Sequence, residues 1–257
     1  MNSSDEDEVV AALTTLSSLG ELDFDKASYR EAILPHLESD RAEIRLAASF
    51  ALATSGLQEG DAEKLRQMAR EGMGPEASRL LMQIDKMDLT GESGAIVASM
   101  VQQGGEFAKK AVQGLWGGKY SPELEASLVE MSRDADIGYE VMYFALSTQR
   151  NKGQETVSRL IEILGDSDTQ NRAGRAAWGL SYGVEKEQWS EVADAALILV
   201  DTRVSGYAWQ QAWELVRQYA GEEQVDDLKV LAEKPNVPSK MREMLLNKIT
   251  ALESQNP

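Results

Sequence analysis

Seven apolar residues, Leu52, Ile84, Leu115, Leu146, Leu180, Leu215 and Leu246, stand about 31 to 35 residues apart along this chain, a spacing characteristic of stacked helical repeats. Around each of them apolar residues recur at three and four positions, and no stretch sustains the period-two alternation of a half-buried strand. Segments of about 12 to 18 residues rich in Ala, Leu, Glu, Arg and Met alternate with short breaks holding Gly, Asp, Ser or Pro. They can be written as seven pairs, from "ASYREAILPHLES" with "DRAEIRLAASFALATSG" to "EQVDDLKVLAEK" with "VPSKMREMLLNKITALE", after a short segment near "EVVAALTTLSSLG". Four positions before five of the ladder residues lie Ala48, Leu80, Ala111, Met142 and Ala176, on the same helical face, and the alanines there allow helices to approach closely. One such pair cannot bury its apolar face alone, so stacking supplies the core. The fold expected is all-α, an α-α superhelix (solenoid) of about seven helical hairpins forming a single domain over residues 1–257, with residues 1–8 a flexible acidic tail.

Composition narrows the chemistry. The absence of cysteine excludes disulfides, thiolate metal sites and cysteine nucleophiles. The start "MNSSDEDEVV" is acidic where a secretory signal is basic and then apolar, and no apolar run reaches the ~20 residues that cross a bilayer. A cytoplasmic protein without a membrane partner is the expectation. Against 43 Asp and Glu there are 26 Lys and Arg, a net charge of -17, which argues against nucleic acid as a partner because phosphate neutralisation needs a surplus of cations.

At "AEIRLAASFALATSG" and "QNRAGRAAWGLSYG" the chain resembles the HEAT-like family of armadillo-type repeats, whose second helices read as an apolar residue and an Arg, then Ala-rich turns ending in Ala-Leu. Ile44-Arg45 with Ala51-Leu52 matches, and Arg172 with Gly179-Leu180 matches after a one-residue slip. Pro35 within a first helix is similar to the kinked first helices of that family. The other hairpins keep the spacing and lose the Arg. The resemblance implies seven HEAT-like hairpins and leaves activity open. A tetratricopeptide array, with a period of about 34, is the nearest competitor, but its Trp, Gly-Tyr and Pro signature does not recur.

Candidate catalytic patterns fail on context. Gly179-Leu180-Ser181-Tyr182-Gly183 fits G-x-S-x-G, yet that elbow requires a preceding strand and a later His. Here "NRAGRAAW" favours helix and the one histidine, His36, comes before Ser181. Gly183 is expected to close a helix in the left-handed conformation, and Gly179 to admit a neighbouring helix. His36 reads as a polar residue beside Pro35. "GLWGGKY" lacks the first glycine and the Ser or Thr of a phosphate loop, and Asp85 and Asp88 are wrongly spaced for calcium. HEAT-like DNA glycosylases carry Trp-x-x-x-Asp, whereas Tyr120, Tyr182, Ala193, Trp213 and Arg217 follow the five tryptophans at that distance. Nothing supports the chemistry of HEAT-like bilin lyases. No catalytic residue, metal or cofactor is expected.

The second helices, taken as 40–55, 75–87, 106–118, 136–150, 168–182, 203–220 and 238–253, hold 14 basic and 11 acidic residues. The acidity therefore belongs to the first helices, loops and N-terminal segment, where it either solubilises the exterior or steers a basic partner. Two before the ladder come Phe50, Met82, Gln113, Phe144, Trp178, Trp213 and Met244. Beside this column, five before or two after the ladder, stand Arg79, Lys86, Lys110, Arg175, Tyr182, Gln210, Arg217 and Lys248, with no acid among them. Two readings are open: the column packs between repeats, or it forms a ridge that grips a protein or peptide. In the second, Phe144, Trp178 and Trp213 are the apolar anchors, Arg79, Lys110, Arg175 and Arg217 pair with acidic or carbonyl groups, and Phe50, Met82 and Tyr182 complete the contact surface. Taking Val216 as the ladder residue instead would rotate Trp213 by ~100°. The function expected is a non-catalytic interaction module; the alternatives are an immunity-type inhibitor that blocks a basic toxin or enzyme, and a HEAT-like lyase or glycosylase.

Overall fold

The computed structural model describes residues 3–18, 26–165, 170–202, 206–235 and 237–254. Residues 168–169 and 203–205, which open two of the expected second helices, and residues 1–2 of the expected tail lie outside them. Among the described residues the fold is all-α: fifteen α-helices, short 3-10 turns and one pair of two-residue strands. The chain divides into two compact units, Met1–Phe144 and Ala145–Pro257, where the sequence expectation is a single domain over 1–257.

The first unit holds α1 (Ser3–Ser18), α2 (Lys26–Ile33), α3 (Ala42–Ser55), α4 (Asp61–Gly72), α5 (Ala77–Ile84), α6 (Glu92–Gln102), α7 (Gly105–Gln113), α8 (Pro122–Met131) and the short α9 (Gly138–Glu140). The acidic start, expected as a flexible tail, is helical from Ser3 onward. Asp5 and Glu6 occupy its first turn, where negative charge complements the helix dipole. Glu6 accepts Arg41 Nη1 at 2.8 Å, and α1 packs along α3 with Leu13 buried. Pro35 ends α2: Leu34–Glu38 continues as a 3-10 turn in which the missing proline N–H costs little.

Within this unit the odd-numbered helices α3, α5, α7 and α9 pack one on the next, as do α4, α6 and α8. The loops after α5 and α7 are joined through a parallel pair, β1 (Asp88–Leu89) and β2 (Lys119–Tyr120). Lys119 N donates to Met87 O at 2.8 Å and Ser121 N to Leu89 O at 2.9 Å. Gly94 is required behind this pair, because a Cβ there would lie 2.0 Å from Leu89 O.

The second unit holds α10 (Gln154–Gly165), α11 (Gln170–Leu180), α12 (Trp189–Thr202), α13 (Tyr207–Tyr219), α14 (Val225–Glu233) and α15 (Ser239–Glu253). Here α10, α12 and α14 pack in series, and α11 packs on α13. Six ladder residues, Leu52, Ile84, Leu115, Leu146, Leu180 and Leu215, are buried, as are all five residues four positions earlier. Leu246 departs from the expectation with 51% exposure. In α15 the buried stripe is Met241, Leu245, Ile249 and Leu252, so the helix sits one residue earlier than the ladder spacing suggests.

In two of the second helices, α3 and α15, the arginine near the start has a definable job. Arg45 Nη1 donates to Ser39 O and Asp40 O at 2.7 and 2.9 Å. Arg242, which the motif comparison passed over, donates to Ala232 O at 2.8 Å and Lys234 O at 3.0 Å. Each closes carbonyls at the end of the preceding helical segment.

Candidate protein-binding surfaces

The first unit carries an aromatic cluster at its last helical turns. Trp116 follows α7, and Tyr139, Tyr143 and Phe144 lie on α9 and on Val141–Leu146, a π-helical stretch that continues it. A π-turn breaks the three-and-four spacing of an α-helix, and here adjacent Tyr143 and Phe144 meet edge to face with centroids 5.1 Å apart. Trp116 stands 6.1 Å from both rings, and Tyr139 stacks on Tyr143 at 5.8 Å. The cluster is not closed over: Trp116 is 47% and Tyr139 44% exposed.

The other expected contact residues of this unit divide. Met82 is buried and belongs to the core; its thioether would meet a Cβ placed at Gly118. Phe50 is half-buried with the exposed Arg79 guanidinium 5.8 Å from its ring centroid. Lys110 is exposed and lies 3.9 Å from the Glu76 carboxylate.

In the second unit the pentapeptide at Gly179–Gly183 is structural throughout. A Cβ on Gly179 would lie 2.7 Å from Ser147 Cα, and one on Gly183, at φ +68° three residues past the end of α11, would lie 2.7 Å from the Arg150 carbonyl oxygen. Ser181 Oγ donates to Trp178 O at 2.7 Å. Tyr182 donates its hydroxyl to Ser147 O at 2.5 Å, and burial pushes its pKa up to about 12 against the lowering influence of Arg175 and Arg150. Buried Lys152 lies 4.1 Å from the Tyr182 ring centroid and donates to Tyr182 O at 3.0 Å. Arg175 stacks over Trp178 at 4.0 Å while its Nε donates to Ser147 Oγ at 2.9 Å. Arg175, Trp178 and Tyr182 therefore form one partly exposed group braced on the hydroxyl and carbonyl of Ser147.

Trp213 is buried, so this expected anchor is core: α13 buries Leu215 and Val216 together, which carries Trp213 inward. Arg217 is exposed and paired with Glu214 on its own helix at 2.6 Å. Between α13 and α15 a cleft of about 540 Å³ is lined by Trp209, Trp213, Met241 and Met244.

The chain matches no family model, no curated protein and no solved structure. Among the described residues no helix is long and apolar enough to cross a membrane, and no three His, Cys, Asp or Glu residues gather as metal ligands. Within "DKMDLTGESG", where β1 leads into α6, Asp88 Oδ1 accepts the Thr90 N–H and hydroxyl.

Sequence reasoning found Phe144 and missed Trp116, Tyr139 and Tyr143. Tyr139 and Tyr143 are four apart, a signal that could have paired them. The π-turn that brings Tyr143 beside Phe144 leaves no such mark in an α-helical register.

Proposed function

We propose that this chain is a HEAT-like α-solenoid of seven hairpins that serves in the cytoplasm as a non-catalytic protein- or peptide-binding module. Its contact surface is the second-helix side. The observation that carries this reading is the Trp116, Tyr139, Tyr143 and Phe144 cluster, whose outer rings are nearly half exposed. Large aromatic side chains with polar tips dominate binding hot spots, since they bury much area with few rotatable bonds. The Arg175, Trp178 and Tyr182 group is a second aromatic patch, with a guanidinium added. The helix pairing, the buried ladder and the capping arginines support the architecture.

The test is selection of peptides from a displayed library on the full chain, followed by titration of the selected peptide. Trp116→Ala with Tyr139→Ala is expected to weaken it by about 100-fold, a hot-spot-sized loss, with helix content and Tm unchanged. Unchanged affinity in that variant and in Arg175→Ala with Trp178→Ala rejects the second-helix surface.

A further inference from the structure

The first-helix side of the second unit carries a groove with a different chemistry. Helices α12 and α14 pack together, and each turns one stripe toward the space between them. On α12 the stripe is Asp194, Ile198 and Asp201, spaced four and three apart; across from it run Glu223, Asp227, Val230 and Lys234. These spacings put each set on one helical face. Together they line a groove of about 550 Å³ over Leu197 and Leu231.

Two properties of this groove do not belong to an ordinary solvated face. Ile198 is 66% and Val230 60% exposed, so two aliphatic side chains, one on each wall, remain in water at the centre of the stripes. Four carboxylates also surround them with one ammonium. Lys234 is spent on Asp201, with Nζ at 2.5 and 2.7 Å from its two oxygens. Asp201 lies at the C-terminal end of α12, where the helix dipole disfavours negative charge, and the lysine answers that. Asp194 accepts only the neutral Gln224 amide, at 2.9 Å. Among the described residues Glu223 and Asp227 form no ion pair. Uncompensated negative charge thus gathers at one end of a groove whose middle is aliphatic.

We infer that this groove receives a cationic amphipathic segment of a partner protein, its apolar side chains on Ile198 and Val230 and its Lys or Arg groups on Asp194, Glu223 and Asp227. Charge selects this occupant. Nucleic acid and anionic membrane surfaces are repelled by the carboxylates, and a second copy of a chain with net charge -17 meets the same repulsion. A purely cationic chain would leave the aliphatic centre uncovered. The inference is independent of the second-helix reading, because the two surfaces share no residue.

The probe is a fluorescent amphipathic helical peptide of Leu and Lys, titrated onto the full chain by anisotropy, with a scrambled peptide of the same composition as comparator. The Leu/Lys helix is expected to bind and the scrambled peptide to bind at least about tenfold more weakly. Ile198→Ser with Val230→Ser, and separately Glu223→Gln with Asp227→Asn, are each expected to weaken the helix by about tenfold or more. The amide pair alone should flatten its salt dependence. All four positions are solvent-facing, and circular dichroism of each variant is the control for folding. Trp116→Ala with Tyr139→Ala should leave the affinity unchanged. Affinity indifferent to the serine pair means nonspecific adsorption to acid and overturns the inference. Affinity indifferent to the amide pair places the peptide elsewhere, and absence of binding removes the groove as a site.

Discussion

In the unit ending at Phe144, early joints between successive first helices are made by arginine. Arg30 on α2 grips Asp61 of α4 with both terminal nitrogens, at 2.5 and 2.7 Å, and Arg66 on α4 reaches Ser93 of α6 while binding Asp85 at 2.5 Å. In the unit beginning at Ala145 amide side chains make most of the corresponding joints, with one ion pair, Lys234–Asp201, between α12 and the end of α14. Gln188 donates to Gln154 at 3.1 Å, and Gln224 donates to Ser190 and Asp194 at 3.0 and 2.9 Å. The second helices there are tied by phenols: Tyr182 to Ser147 O, and Tyr219 to Leu180 O at 3.0 Å. Packing of similar elements is thus secured by guanidinium–carboxylate pairs in one unit and mainly by amide and hydroxyl groups, with one lysine ion pair, in the other. The difference shows that repeat spacing specifies where a joint falls and leaves its chemistry free.

The largest effects should come from the close approaches that both units share. Gly94→Ala is expected to cost about 3 kcal/mol, because its Cβ would overlap the backbone oxygen of Leu89, and overpacking of this kind typically costs 1–3 kcal/mol. Gly179→Ala, with a milder overlap against Ser147, should cost about 1–2 kcal/mol. Urea denaturation of the two variants checks the order; a Gly179 effect larger than that of Gly94 would break it.

Next in size is opposite pH sensitivity. The Arg30 guanidinium holds the Asp61 carboxyl below its usual range, so the pair stabilises fully above the ordinary value and its contribution is lost as pH falls through the lowered one. Asp61→Asn should cost about 2 kcal/mol near neutrality, and the gap from the parent should shrink below about pH 4. Burial raises Tyr182 to about 12 and also raises Tyr219. A raised phenol contributes fully below its ordinary pKa near 10, and that contribution disappears as pH climbs toward the raised value. Tyr182→Phe should cost about 1 kcal/mol at neutral pH, and less of its stability should be lost across that alkaline range. Thermal melts across pH test both halves of the contrast. The smallest effect expected is for Gln188→Ala, about 0.5 kcal/mol from its lost hydrogen bonds. A neutral joint predicts that this cost stays constant from pH 4 to 9, and a cost that titrates would contradict it.

The helices and most of their buried faces were legible because burial demands apolar side chains at a fixed period, and that demand is written in residue order. The ladder placed six of its seven residues in the core. It failed at Leu246, where Leu245 is equally apolar and the pattern offers two registers one residue apart. The candidate surface was less legible. Phe50, Phe144 and Trp178 keep exposed area, but the same column contains Met82 and Trp213, which are buried. An aromatic at helical spacing satisfies core and surface equally well until its neighbours are placed. The exposed partners Trp116 and Tyr139 lie off that column and were passed over.

By itself the sequence determined an all-helical chain of paired segments, the close approach at Gly179, and an excess of acid outside the second helices. These follow from periodicity, side-chain volume and charge, which are properties of local order. Only the tertiary structure decided that the chain forms two compact units, that Trp213 turns inward while Trp116 and Tyr139 face water, and that Ile198 and Val230 line one acidic groove. Those outcomes depend on which helix faces which, a relation set by long-range packing that no single segment encodes.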